Sequence, residues 1–253
     1  TGEPTNEFPT SSDPRMNLKS PKKWKGTFTT NVGKFEILVH RDWAPKGADR
    51  FYSLVMNDFY DGARFFRYAN DFVVQWGLKG TPQIDEMYES GANIPDDPKY
   101  KSNTRKTVTF ATSGLNTRST QVFVNLADNT FLDDQGFTPF GELASDADLD
   151  VFLKKINAEY GERANQNKII SEGNQLYLQK SFPHMSYIKS EGVSVIEEQT
   201  AREGQTRWLF VSEPSRCCLV VRGPWCMSVR PLARWGIAGH QVHGTLVKLS
   251  LVE

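Results

Sequence analysis

What stands out in this chain is a set that combines aromatic surface, one guanidinium and two amides. Phe65-Phe66-Arg67 is followed by Phe72-Val73-Val74-Gln75. Phe110-Ala111-Thr112-Ser113-Gly114 and Gln121-Val122-Phe123 come later, and Phe131-Leu132 and Phe137 close the group. The set contains no nucleophile. The chain has no GxGxxG, GxxxxGK[ST], HExxH or GxSxG pattern. Before residue 200 the only histidines are His40 and His184, and there is no cysteine. A hydrolytic triad or a histidine metal site is therefore poorly supported there. Paired carboxylates such as Asp96-Asp97 and Asp133-Asp134 fall in turn-like segments and read as solvated loop charges.

Positioning such a set requires a folded core. The 253 residues are 38% hydrophobic and 24% charged, enough for one large domain and too apolar for a disordered chain. No apolar run reaches the ~18 residues of a membrane-spanning helix. Thirty basic residues balance thirty acidic ones, so no global attraction to nucleic acid or an anionic membrane is expected. The chain starts at Thr1 without a basic-then-apolar signal segment. It reads as soluble and as a processed or excised chain; a processed chain would belong to a membrane-bounded or extracellular compartment.

The elements follow from periodicity. Phe28 and Thr30, the turn Asn31-Val32-Gly33, and alternating Phe35, Ile37 and Val39 read as a hairpin. Ala44-Pro45 opens a helix with Ala48, Phe51, Tyr52, Val55 and Phe59 on one stripe. Strand-like runs follow at Phe72–Gln75, Thr107–Ala111 and Gln121–Leu126. Ser145 caps a second helix with Asp146 and Asp148 in its first turn. Its stripe is Leu149, Phe152, Leu153, Ile156 and Tyr160, with Gly161 as the stop. Phe182-Pro183 and Tyr187-Ile188 read as a last turn and strand. Short strands with two main helices far apart favour a closed antiparallel barrel capped by helices over a doubly wound sheet.

Composition sets the boundaries. Residues 1–24 are rich in Pro, Ser, Thr and charge and read as an extension or linker. Residues 25–195 form the main domain. Residues 196–253 form a tail with all three cysteines, three of six tryptophans and six of fourteen arginines. Cys217, Cys218, Cys226, His240 and His243 do not have the usual zinc-finger spacing, so small buried thiols are favoured over a metal site. Residues 245–252 and Leu219–Val221 read as tail strands.

These motifs, in this order from about Gly26 to Ser190, resemble the cyclophilins, the peptidyl-prolyl cis–trans isomerases. The matching segments are Gly33-Lys34-Phe35, Ala44-Pro45, Arg50-Phe51, Tyr60-Asp61-Gly62, Phe65-Phe66-Arg67, Phe72 to Gln75, and the stretch from Thr109 to Gly141. The resemblance implies a mainly β fold, a closed eight-stranded antiparallel barrel capped by two helices, acting on X-Pro bonds in protein folding. It implies Arg67 as the catalytic arginine. It implies a substrate groove of Phe72, Val73, Gln75, Ala111, Thr112, Ser113, Gln121, Phe123, Phe131, Leu132 and Phe137. Phe137 falls near a position where many members have histidine. No cofactor or metal is implied. The implied partners are proline-containing peptides or unfolded proteins, with cyclosporin as a family ligand. The tail does not resemble the family.

Four departures stand out: Phe66 replaces the usual histidine, Val73 methionine and Trp76 glycine, and Leu115 stands where proline is common. Because alternate strand residues face opposite sides, Trp76 is expected to face away from a groove that Val73 and Gln75 share. The alternative to an active isomerase is a non-catalytic proline-peptide-binding scaffold. Phe66, Val73 and Trp76 give that alternative its weight.

Overall fold

The computed structural model describes residues 8–10 and 12–197, with three two-residue strands beyond them. The chain divides into two compact units, 1–198 and 199–253.

The first unit is built on an eight-stranded antiparallel sheet. In chain order its strands are β1 (Lys23–Thr30), β2 (Lys34–His40), β3 (Arg67–Ala69), β4 (Val73–Trp76), β5 (Thr107–Phe110), β6 (Val122–Asn125), β7 (Pro139–Leu143) and β8 (Ile188–Glu197). They lie side by side as β3-β4-β6-β5-β7-β2-β1-β8. The β1–β2 hairpin forms as its alternation requires, pairing Phe28 with Phe35. Its turn is tied by the Thr30 hydroxyl, which accepts hydrogen bonds from the backbone N–H groups of Val32 and Gly33.

The sheet is curled, and its ladder is open where a closed barrel was expected. The edge strands β3 and β8 are not ladder partners. Their approach is limited to a bridge between Arg64 and Tyr187 and to three backbone bonds linking 62–65 with 186–188. The physical reason lies at β3, where Tyr68 donates its N–H to the Gly161 carbonyl at 2.9 Å. A loop thus occupies the outer edge of β3 that a neighbouring strand would use.

Two helices pack on the sheet as the apolar stripes require. Helix α1 (Pro45–Met56) buries Ala48, Phe51, Tyr52 and Val55. Helix α3 (Asp146–Lys154) buries Leu149, Val151 and Phe152, and its Ser145 cap accepts from the Asp148 N–H. This helix is shorter than its apolar pattern suggested. Ile156 and Tyr160 lie beyond it, and Leu153 is exposed. Two more helices, α2 (Pro82–Gly91) and α4 (Gln166–Gly173), are absent from the sequence reading, so two capping helices understate the helical part. Helix α2 buries only Asp85 and Tyr88, too few positions to make a readable stripe.

The segment read as an extension is drawn onto the domain by a few apolar anchors. Met16 is buried, Phe8 packs against Phe59 and Tyr88, and the Pro9 carbonyl accepts from the Tyr88 hydroxyl. In the main core Phe28, Phe35, Phe51, Phe65, Trp76, Phe110, Phe140 and Phe152 pack together. A second cluster gathers Phe66, Leu78, Tyr160, Ile169, Leu178, Phe182 and Met185.

In the second unit β9 (Trp208–Leu209), β10 (Arg230–Pro231) and β11 (Val247–Lys248) form an antiparallel sheet with β11 in the middle. Strand β11 lies within the strand expected at 245–252. The strand expected at Leu219–Val221 and the cysteine and histidine group lie outside the described residues. Among the described residues no helix is long and apolar enough to cross a membrane, and no cluster of three or more His, Cys, Asp or Glu side chains could hold a metal ion.

Trp76 is fully buried on the inner face of β4, with its ring 5.4 Å from Phe65 and 5.9 Å from Phe152. It faces the core and not the groove, as strand alternation requires. Trp76→Ala is expected to cost about 3–5 kcal/mol through lost burial and a residual cavity. Urea unfolding checks this as a lower midpoint at an unchanged slope.

Candidate active site

The site is laid out by strand register. Arg67 of β3 pairs with Gln75 of β4, and Gln75 pairs with Phe123 of β6. Period-two alternation keeps these three on the outer face with Val73, while Val74, Trp76, Val122 and Val124 go to the core. Val73, Phe123 and Leu132 form a buried apolar cluster, with Ala69, Phe72, Ala111 and Phe137 packed against it. Leu132 is brought over this face by the short helical turn Thr130–Gln135.

Around them lies a groove of about 360 Å³. Arg67, Phe72, Val73, Gln75, Ala111, Thr112, Ser113, Gln121, Phe123, Leu132 and Phe137 all line it. Phe131 does not. Its ring is 56% exposed and stacks on Phe72 with centroids 5.8 Å apart. Glu89, Thr117, Ser119 and Gln166 also line the groove and are absent from the sequence reading. Glu89 lies on α2 and Gln166 on α4, the two helices whose patterns were too polar to read.

A chain of polar side chains crosses the groove. Glu162 accepts from Arg67 Nε at 2.5 Å, and Gln75 Oε1 accepts from Arg67 Nη1 at 3.2 Å. Gln75 Nε2 donates to Gln121 Oε1 at 2.8 Å, and Gln121 Nε2 donates to Glu89 Oε1 at 3.3 Å. The two glutamine amides can therefore be oriented in only one sense. Each amide oxygen takes the donor on the Arg67 side, and each NH₂ gives to the next acceptor. The Arg67 guanidinium also lies 5.7 Å from the centre of the Phe72 ring. Burial pushes the Glu89 carboxyl above its ordinary pKa, and the bond from Gln121 pulls it part of the way back.

Beneath the apolar pocket runs a second network of buried amides. The Asn129 side chain donates to the Phe72 carbonyl at 2.9 Å and to Asn125 Oδ1 at 2.8 Å. Asn125 Nδ2 donates to Thr107 Oγ1 and Asn103 Oδ1. Asn103 Nδ2 donates to the Phe137 carbonyl at 2.8 Å, and Asn103 Oδ1 also accepts from Thr109. The backbones at Phe72 and Phe137, both packed against the pocket cluster, are thus tied to one frame. Asn125 ends β6 while Asn103 and Asn129 lie in loops, and their long-range partners leave no local signal.

The third wall follows β5. Ala111 N–H donates to the Gln121 carbonyl at 2.9 Å, and the chain then turns out through Thr112 and Ser113. The Thr117 hydroxyl accepts from the Ser113 N–H at 2.9 Å and lies 2.8 Å from the Thr112 hydroxyl, which stiffens the turn.

An apolar pocket thus lies beside an ordered guanidinium on the outer face of an antiparallel sheet. The groove lining combines apolar side chains with one guanidinium, one carboxylate, amides and hydroxyls. The family model described as cyclophilin type peptidyl-prolyl cis-trans isomerase/CLD matches residues 26–174. The chain belongs to this family of isomerases, whose general role is in protein folding. It is 33% identical over 146 residues to a peptidyl-prolyl cis-trans isomerase of Acinetobacter baylyi, covering 55% of this chain and 77% of the relative. It is 31% identical over 131 residues to the isomerase ppi1 of Schizosaccharomyces pombe, covering 46% and 76%. Among solved structures, a cyclophilin type isomerase of Cryptosporidium parvum shares the fold, with a TM-score of 0.51 at 16% identity over 70% of this chain and 99% of that one.

Asn103 is fully buried and its amide joins Asp133, Phe137, Thr109 and Asn125. Asn103→Ala strands several of these partners and is expected to cost about 2–4 kcal/mol. Guanidinium chloride unfolding gives the measurement.

Proposed function

We propose that this chain catalyses rotation about X-Pro peptide bonds in the groove and that Arg67 is its catalytic residue. The observation that carries this is the guanidinium, held by Gln75 beside the pocket of Val73, Phe123 and Leu132 within one groove.

Amide resonance sets a barrier of roughly 18–20 kcal/mol, and uncatalysed isomerisation takes tens of seconds or more. Reaching about a millisecond requires removing roughly 5–6 kcal/mol. No bond is made or broken, so no nucleophile is needed. The proline ring packs on Val73, Phe123 and Leu132, with Phe72 and Phe137 at the sides. Peptide backbone along Ala111, Thr112 and Ser113 anchors the chain on one side of the bond while the other turns. As the bond twists, the prolyl nitrogen loses conjugation, becomes pyramidal and gains an available lone pair. Arg67 donates to that nitrogen. The planar ground state offers a poor acceptor, so the interaction favours the twisted state, which lowers the barrier.

Gln75 orients the guanidinium, and Gln121 orients Gln75. Phe131 extends the apolar surface beyond Phe72, where a larger ligand such as cyclosporin would rest. The contacts between 62–65 and 186–188 bring the two ends of the sheet together and support its reading as a barrel.

The scaffold reading rested on Phe66, Val73 and Trp76. Phe66 is buried in the second cluster and Trp76 in the main core, so neither intrudes on the groove. Val73 lies in the pocket and keeps it apolar.

Arg67→Ala is expected to lower kcat/KM for a short Xaa-Pro peptide about 10²–10³-fold, as loss of a transition-state donor does. The Arg67 side chain is 32% exposed, so the variant should fold normally. A coupled proline-isomerisation assay makes the measurement, and full activity in the variant rejects the assignment. No turnover by the unmodified chain, with peptide still bound, would favour the scaffold.

A further inference from the structure

We propose that Glu162 is a positioning residue for this reaction, its carboxylate holding the Arg67 guanidinium by the Nε edge so that Nη2 is left for the peptide. The inference rests on the assignment of Arg67 made above and deepens it.

The bare contact is an ion pair between side chains 32% and 54% exposed. Such pairs are commonly incidental, because two long side chains must be ordered in high dielectric. This one is built differently. Two three-residue segments, 66–68 and 160–162, are joined along their length. Phe66 and Tyr160 are buried in the same apolar cluster. Tyr68 N–H donates to the Gly161 carbonyl at 2.9 Å. Arg67 and Glu162 meet beside these two fixed contacts.

The loop is also fixed on its own. Gly161 has φ +54°, in the left-handed region that glycine enters readily. Arg163 Nε donates back to the Tyr160 carbonyl at 3.2 Å and Nη2 to the Glu159 carbonyl at 3.0 Å, with the guanidinium 5.4 Å from the centre of the Tyr160 ring. Backbone on both sides of Glu162 is thus held before the ion pair forms. Only its own side-chain torsions remain to be ordered.

The geometry at Arg67 shows what this achieves. A planar guanidinium gripped at one nitrogen can still swing about that bond. Gln75 alone grips Nη1, at a rather long 3.2 Å. A second acceptor on Nε fixes both the position and the plane of the group. Among the described residues Nη2 donates to no protein acceptor, so it is the donor left for the peptide. Holding it in place before substrate arrives is the preorganisation that transition-state hydrogen bonding needs.

The test is a coupled assay on the full chain with a short Xaa-Pro peptide. It compares the unmodified chain, Glu162→Ala, Glu162→Gln, Arg67→Ala and the Arg67→Ala/Glu162→Ala double variant. Glu162→Ala should lower kcat about tenfold through misplacement of the guanidinium, with KM unchanged. Glu162→Gln should recover most of that loss, because its amide oxygen still accepts from Nε. The double variant should match Arg67→Ala, since a positioning residue has nothing left to position. Unchanged or raised kcat in Glu162→Ala overturns the inference. So does an equal further fall in the Arg67→Ala background, which would mark a general structural role. Full activity in Arg67→Ala itself would reject the catalytic assignment and not this step alone.

Discussion

Everything in the groove depends on holding one guanidinium still at the edge of water. An arginine side chain is long, and its freedom opposes any single geometry. Strand register overcomes part of this by pairing Arg67 with Gln75 directly across β3 and β4. The amide then relays its fixed orientation from Gln121 and Glu89, which α2 carries to the far side of the groove. The guanidinium is therefore positioned by backbone pairing first and by side-chain hydrogen bonds second. The outer edge of β3 is held by the Gly161 loop.

The same β-alternation explains how unusual residues coexist with a working groove. Around Arg67 the chain alternates between destinations. Phe66 enters the second cluster, Arg67 faces the groove, and Tyr68 reaches the Phe152 carbonyl on the core side. In β4, Val73 and Gln75 face out while Val74 and Trp76 face in. A large ring at 76 is paid for in core volume, where Phe35, Phe65 and Phe152 surround it, and not in groove shape. The departures with the largest rings, Phe66 and Trp76, fall on buried faces, where packing and not substrate sets what is allowed.

Much of this was legible in the residues. Strand-like runs marked β2, β4, β5 and β6 to within a residue or two, whereas β1 begins at Lys23, inside the segment read as an extension. Helices α1 and α3 showed themselves through apolar stripes that the sheet covers. Helices α2 and α4 did not, because each buries too few side chains to leave a period. Glu89 and Gln166 were hidden with them. Phe131 illustrates a different limit. Its neighbour Leu132 is buried in the pocket, while a short helical turn sends Phe131 outward onto Phe72. Adjacent residues on such a turn diverge by about a third of a circle, which a motif cannot show.

The hardest feature to read was the loop that carries Glu162. Nothing local distinguishes an exposed glutamate after a glycine from any other surface charge. Its meaning comes from separation: Arg67 and Glu162 are 95 positions apart, and only the fold brings them together. Residues 66–68 and 160–162 meet because Phe66 and Tyr160 are both apolar and share a cluster outside the main core. Phe66, where the family usually has histidine, adds a buried apolar ring to that cluster at the position next to Arg67. The substitution that first argues against catalysis thus anchors the loop whose carboxylate grips the guanidinium. In this chain the apolar residue and the acidic residue act as two parts of one support.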